Sequence, residues 1–269
     1  MRILLTNNHL KQLGGSELWT YTMAMELQKR GHDVGVYTKQ RGVVSAMMSH
    51  LMVVDPRGYD LALINHNTCV DVDAKYKIFT SHGTVPELEV PPNDMDDYVA
   101  VNENVSKKYD IETIIKNPID TDLFKPTSEI GDTPKTVLAI TEVRPDVSYN
   151  VIQPTRDKYN MPELMNKADV VISMGRGVLE AMSCGRNVVV WDNRPYWGSR
   201  GDGYLSDFSK LTGNVAGEYL RKDINLNAEI AMYEKGQGAK NRQYILDNHD
   251  VRKIVDQYIE LYERRHLSN

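Results

Sequence analysis

Cysteine is nearly missing from this chain. Its two cysteines, Cys69 and Cys184, stand far apart and in no Cys-x-x-Cys spacing. That argues against a disulfide framework or a thiolate zinc cluster, and it fits a reducing compartment. A surplus of positive charge is missing too: 32 basic residues face 37 acidic ones, for a formal net charge of -5 and a sequence pI of about 5.8. Binding to nucleic acid by general electrostatics is therefore not expected. No stretch approaches the roughly 18 apolar residues of a membrane span, and the apolar start MRILLTNN is too short for a signal-peptide core. The expectation is a cytoplasmic protein with no transmembrane segment. No histidine pair has metal-ligand spacing. With 269 residues, 41% hydrophobic and 26% charged, the composition is that of an ordinary globular protein of two modest domains or one large one.

The first forty residues predict a strand over Ile3 to Thr6, a turn at Gly14-Gly15, a helix over Ser16 to Arg30 and a strand over Asp33 to Tyr37. Leu18, Tyr21 and Met25 recur at helical spacing, and Lys29-Arg30 before Gly31 is stop chemistry. This is a βαβ unit, and parallel strands need such crossovers, so the fold class expected is α/β with a doubly wound sheet. Further strands are predicted at Leu61 to Ile64, Lys77 to Thr80 and Tyr98 to Val101, each followed by polar residues. Residues 1 to 115 thus form one Rossmann-like domain.

Proline, glycine and acids accumulate from residue 116 to 134 in KNPIDTDLFKPTSEIGDTP, a composition expected of an interdomain connection. A second series of strands follows at Val137 to Ile140, Asn150 to Gln153, Val170 to Ser173 and Val188 to Trp191, with helical patterns over 161 to 168 and 177 to 184. It makes residues 116 to 250 a second α/β domain. The tail from Ala228 to Arg265 reads as helix, and its apolar stripe from Val251 to Tyr262 predicts that 251 to 269 packs back on the first domain.

The stretch MGRGVLEAMSCGRNVVV, residues 174 to 190, places two glycines around the start of a helix. Amides from Gly175 to Leu179, aided by the helix dipole, suit an anion, and glycine lets a ligand approach the backbone closely. The plainer alternative makes Glu180 a favourable first-turn acid and Gly175 and Gly177 turn residues. Cys184 has no activating partner in the sequence and reads as packing.

In order along the chain, MRILLTNNHLKQLGGSELWTYTMAMELQKRGHDVGVYT, YDLALINHN, FTSHG, YVAVNENVSKKY, KNPIDTDLFKP, MPELMNKADVVIS and GVLEAMSCGRNVVVWDN resemble successive segments of the GT-B retaining glycosyltransferases of family 4 (group 1), in a shortened form. The ordered combination carries the resemblance. It implies two Rossmann-like domains facing a cleft, the second reduced, with the first on the acceptor side and the second binding a nucleotide-sugar donor. It implies a UDP- or GDP-sugar as donor and a hydroxyl acceptor such as a glycan or glycolipid. No cofactor or bound metal is expected.

Residue by residue, the resemblance gives Glu180 the ribose hydroxyls, and gives Gly14, Gly15, Gly175, Gly177, Val178 and Leu179 the donor's phosphate or sugar. It sets His82 against the sugar near the reacting centre and lets Arg144 and Arg176 meet the charge of the leaving diphosphate. Gly14-Gly15 also reads as a turn without ligand, and His82 also reads as a structural histidine. His66, at another strand end, reads as a lining residue.

The chain departs from the family in three places. Position 172, where relatives carry a glutamate that contacts the sugar, is Ile172. The family's lysine beside Arg144 is not found, leaving Arg156 and Lys158 as substitutes or as surface charges. Residues 141 to 160 are short, as though a strand and helix were missing. Asp71-Val72-Asp73 reads as a chance match to a metal-binding Asp-x-Asp, and the absence of Gly-x-Gly-x-x-Gly argues against a nicotinamide cofactor. Two other readings stay open: a non-catalytic GT-B-fold subunit binding a partner or glycan, and a nucleotide-sugar epimerase.

Overall fold

The computed structural model describes residues 1–154, 160–192, 200–211 and 222–266. The chain divides into two compact units, Met1–Pro118 with Val251–Asn269, and Ile119–Asp250.

The first unit begins β1 (Arg2–His9), α1 (Gly15–Lys29), β2 (Asp33–Gln40), α2 (Val43–Met47), β3 (Tyr59–Asn65), β4 (Ala74–Ser81), β5 (Asp97–Ala100), α3 (Glu103–Tyr109) and β6 (Thr113–Ile114). These strands make one sheet in the order β2-β1-β3-β4-β5-β6, parallel at every pairing. Ile3, Leu4 and Leu5 are all excluded from solvent, as a central strand covered on both faces requires. The α1 helix buries Trp19, Met23 and Leu27 at four-residue intervals, while Tyr21 and Met25 from the anticipated stripe pack at its margin.

The second unit runs β7 (Thr136–Ala139), β8 (Asn150–Ile152), α4 (Met161–Asn166), β9 (Val170–Ser173), α5 (Arg176–Ser183), β10 (Asn187–Asp192), β11 (Arg200–Tyr204), β12 (Lys222–Asp223), α6 (Leu226–Ile230) and α7 (Gln237–Asn248). Its sheet has the order β12-β11-β10-β9-β7-β8. β8, β7, β9 and β10 are parallel, whereas β11 pairs antiparallel with both β10 and β12. Residues 140–149, which join the parallel pair β7 and β8, contain no helix. The strand anticipated from Asn150 is thus present, and this crossover is reduced to a loop.

The tail is three helices rather than one: α6, α7 and α8 (Val251–His266). Glycine and docking explain the breaks. A Cβ on Gly238 would lie 2.2 Å from the Gly185 carbonyl oxygen, so the start of α7 is pressed against the turn that follows α5. The α7–α8 break comes where Asp250 bridges to Ile119 and accepts from Thr121 Oγ1 at 2.9 Å. α8 then packs in the first unit. Tyr258 meets Trp19 edge to face at 5.7 Å and bonds Thr80 Oγ1 at 2.9 Å, and Asp256 pairs with Arg30.

Candidate functional site

In the second unit, β9 passes into α5 through two residues, Met174 and Gly175. Gly175 has φ 60° and ψ -136°, backbone that a side chain disfavours and that glycine adopts freely. Gly177 lies close against a side chain: a Cβ there would lie 2.4 Å from Ser173 Oγ unless that hydroxyl turned away. The first amides of a helix have no acceptor behind them. Val178 N–H is engaged, at 3.2 Å from the Gly175 carbonyl oxygen, and Leu179 falls where the regular ladder begins. Of the amides named from the sequence, those of Arg176 and Gly177 lie in the first turn of α5, ahead of the regular ladder.

Glu180 is 5% exposed and accepts from Arg176 Nε at 2.7 Å, an i,i+4 ion pair whose arginine side chain is 10% exposed. Burial raises the Glu180 carboxyl above the ordinary carboxylate range, and the Arg176 charge and hydrogen bond only partly oppose it. Ile172 lies inside β9 at 0% exposure, so the position that carries an acid in the resembled family is a core position here. Arg144 is exposed, and its Nη2 donates to the Val151 carbonyl at 3.1 Å on β8, the edge strand. Arg156 and Lys158 lie outside the described residues.

Arg186, to which sequence reading assigns no role, is buried in the same segment. It donates to the carbonyls of Cys184, Ala168 and Ser128 and to Asn166 Oδ1. Burial lowers its pKa, and burial pushes the Cys184 thiol up to about 12, which leaves that cysteine unreactive.

In the first unit the strand ends gather a different set. His82, just after β4, is 6% exposed. Its Nε2 lies 2.7 Å from Asn65 Oδ1, and Asn65 Nδ2 donates to the Thr6 carbonyl at 3.0 Å. The amide's orientation is thereby fixed, and His82 Nε2 is the protonated nitrogen. Burial pushes the His82 pKa down to about 4, against the raising influence of Glu89, so the ring is neutral at pH 7.

Glu89 accepts the His82 backbone N–H at 2.6 Å and faces His66 Nε2 at 3.6 Å. His66 takes the Asn8 N–H on Nδ1 at 3.2 Å and has φ 74°, an uncommon backbone for a side-chain-bearing residue. Burial tends to raise the Glu89 carboxyl, but the hydrogen bond from the His66 ring and the His82 backbone N–H hold it below the ordinary range.

The Gly14-Gly15 turn is occupied by a carboxylate of the chain itself. A Cβ on Gly14 would meet Glu17 Oε2 at 2.3 Å, whereas one on Gly15 would meet nothing within 4 Å. Glu17 in turn accepts from Ser16 Oγ and sits 3.1 Å from His9 Nδ1. Glu17, Glu89 and Asn65 were not anticipated from sequence; they stand in no spacing motif, and of the three only Asn65 ends a strand, Glu17 lying in the first turn of α1 and Glu89 between β4 and β5. Among the described residues no group of three or more His, Cys, Asp or Glu side chains could hold a metal ion, and no helix is long and apolar enough to cross a membrane.

No protein-family model matches the chain, and no curated protein matches it in sequence. Solved structures do match in fold. Anabaena Alr3699/HepE, solved in complex with UDP and glucose, is 13% identical with a TM-score of 0.65, covering 98% of this chain and 99% of that one. A glycosyltransferase from Rickettsia africae ESF-5 is 12% identical with a TM-score of 0.63, covering 98% of each chain. An alpha-glucosyltransferase in complex with UDP and a 13-mer DNA containing an HMU base is 11% identical with a TM-score of 0.61, covering 98% and 99%. The likeness shows the fold: two Rossmann-like units of the GT-B glycosyltransferase kind.

Proposed function

We propose that this chain transfers a sugar from a nucleotide diphosphate donor, UDP- or GDP-linked, to a hydroxyl acceptor, with retention and without a bound metal. The β9–α5 turn carries the proposal: a glycine in a conformation that side chains disfavour, at the start of a helix, and a nearly buried carboxylate one turn in. Diphosphate oxygens take the Arg176 and Gly177 amides and the positive end of α5, and Glu180 takes two ribose hydroxyls. Arg176 and Arg144 meet the charge that develops on the leaving diphosphate, so catalysis rests on positioning and on charge stabilisation rather than on a protein nucleophile. In the first unit a Cβ on Gly15 would meet nothing within 4 Å, and His82 is a neutral ring held through Asn65. That two similar folds were solved with UDP supports trying UDP-sugars first. An unknown glycan or glycolipid is the acceptor class proposed, and the cytoplasm the compartment.

Calorimetry with UDP and GDP, followed by sugar-transfer assays with UDP- and GDP-hexoses, tests the reading. Binding that Glu180→Ala abolishes is the expected outcome; absence of both binding and turnover overturns it. One observation favours a second reading, a nucleotide-binding subunit without transferase activity: Ile172 is fixed inside β9, so no acid reaches the sugar from that position. Nucleotide binding with no turnover on any hexose donor, in a chain that copurifies with a fuller glycosyltransferase, would select it.

A further inference from the structure

Three neighbouring parallel strands of the first sheet, β1, β3 and β4, each carry a histidine at the carboxyl end: His9 closes β1, and His66 and His82 follow β3 and β4. From β1 the chain runs outward to β2 and returns to β3 on the other side, and open α/β sheets receive ligands beside such a reversal. The three rings differ in what they are bonded to. His82 is taken up by Asn65 and by the Asn117 side chain, and His66 by the Asn8 N–H and Glu89. His9 has Nδ1 3.1 Å from Glu17 Oε1 and keeps its side chain 33% exposed, whereas that of Glu17 is 4% exposed. Among the described residues nothing hydrogen-bonds His9 Nε2. Glycine at position 14 makes room for the carboxylate, since a Cβ there would lie 2.3 Å from Glu17 Oε2, and Ser16 Oγ donates to that same oxygen at 3.1 Å. A carboxylate oxygen accepts, so His9 Nδ1 carries the hydrogen and Nε2 presents a lone pair. The His66 ring backs the His9 ring at 5.3 Å, and Asn7 Oδ1 accepts the His9 backbone N–H at 3.1 Å.

We propose that His9 is a general base, receiving the hydroxyl of the sugar acceptor on Nε2, with Glu17 as its positioning residue. The inference rests on the transfer reading above and adds a catalytic residue to it. As the acceptor oxygen bonds to the sugar's anomeric carbon, that carbon's bond to the diphosphate oxygen breaks and the electron pair leaves on the diphosphate. The hydroxyl proton passes to His9 Nε2, the Glu17 carboxylate balances the imidazolium, and the proton is then released to water. A hydroxyl that keeps its proton is a weak nucleophile, and a placed base is worth about 10²-fold or more.

The test is turnover of UDP-glucose and GDP-mannose, with water and with octyl glucoside as acceptors, beside calorimetric binding of UDP and GDP. His9→Ala is expected to lose about 10²-fold or more in kcat, to bind the nucleotide about as tightly as the wild type, and to regain turnover when imidazole is added. His9→Gln, which keeps a donor for Glu17 and its bulk, is expected to lose as much, and serves alone should His9→Ala not fold. Glu17→Gln is expected to lower kcat about tenfold in the wild-type background and to add nothing in His9→Ala, because it acts through His9; a merely structural Glu17 would cost the same in both. Turnover in His9→Gln equal to the wild type overturns the role of His9, as does a loss in His9→Ala that imidazole does not restore or that takes nucleotide binding with it. Equal losses from Glu17→Gln in both backgrounds overturn the role of Glu17. In these cases the transfer reading stands and the base fails by itself. If the wild type binds neither nucleotide, or binds without turnover, the transfer reading fails and takes the base with it.

Discussion

Glu89 in the first unit and Glu180 in the second are equally removed from water, at 5% exposure each, and each follows a parallel strand of its sheet. Burial alone would raise both. Glu180 is raised and Glu89 is lowered, and the difference lies in what surrounds them. Glu89 receives a backbone N–H and faces an imidazole whose other nitrogen is already satisfied by Asn8. Glu180 leans on a guanidinium from its own helix. Several fixed donors hold a buried carboxylate in place as part of the fold, whereas a partner on a long side chain offsets burial only in part.

The comparison breaks most directly by removing each carboxylate. Glu89→Ala leaves the His82 N–H and the His66 ring buried beside an absent acceptor, and should lower stability by about 4 kcal/mol. Glu180→Gln keeps the shape and one acceptor oxygen and relieves a buried charge, so its loss should stay under about 1 kcal/mol. Urea denaturation of both variants measures the pair. Equal losses would mean that the two sites are held in the same way.

Acid separates the units next. The folded pKa of His82, about 4, lies below its ordinary 6.5, so the unfolded chain takes the proton first as pH falls. The stability this histidine contributes is complete above pH 6.5 and is lost on the way to about pH 4, in all about 3 kcal/mol. Glu89 acts with the same sign, because its lowered carboxyl contributes stability above the ordinary carboxylate range and loses it as pH falls further. Glu180 has the opposite sign, since a raised carboxyl favours the fold when protonated and gives that up as pH rises. Denaturant midpoints from pH 7 to pH 4 should therefore fall in the wild type and fall less in His82→Asn. UDP affinity, which needs Glu180 ionised, should weaken on acidification starting above pH 4.5.

Backbone requirements in the second unit come third. Gly175→Ala forces a Cβ into a conformation with φ 60° and should cost about 2 kcal/mol, besides moving the amides that follow it. Gly177→Ala should cost less, under about 1 kcal/mol, because its clash is with the hydroxyl of Ser173, which can turn away. Thermal unfolding of Gly177→Ala with and without Ser173→Ala checks that reason: the second substitution should recover the loss.

How far these features were legible in the sequence depended on whether the reason for them was local. β9 could be read because Val170, Val171 and Ile172 are apolar toward both faces of a covered sheet. β11 could not: Arg-Gly-Asp-Gly-Tyr has no alternation. Gly201 is there because a Cβ would lie 2.2 Å from the Val190 carbonyl oxygen, beside the register shift between Val190 and Trp191. The tail's periodicity ran through 228 to 265 without showing that Gly238 must meet Gly185. At the candidate site, the glycines, the helix start and the i,i+4 spacing of Arg176 and Glu180 were all local and visible. Their burial was not, nor was the role of Arg186, ten residues on, whose carbonyl partners come from three separate segments.

Arg144 is where the smallest effect on stability is expected and where the donor reading is most exposed. Its guanidinium is exposed and donates to one carbonyl on an edge strand, a bond that water can replace. Arg144→Ala should therefore change stability by less than about 0.5 kcal/mol. If Arg144 meets the leaving diphosphate, it leaves the Val151 carbonyl to do so, at little cost for the same reason, and Arg144→Ala should weaken UDP more than uridine. An equal, negligible change for both ligands would confine Arg144 to the sheet edge and leave Arg176 to meet the diphosphate charge without it.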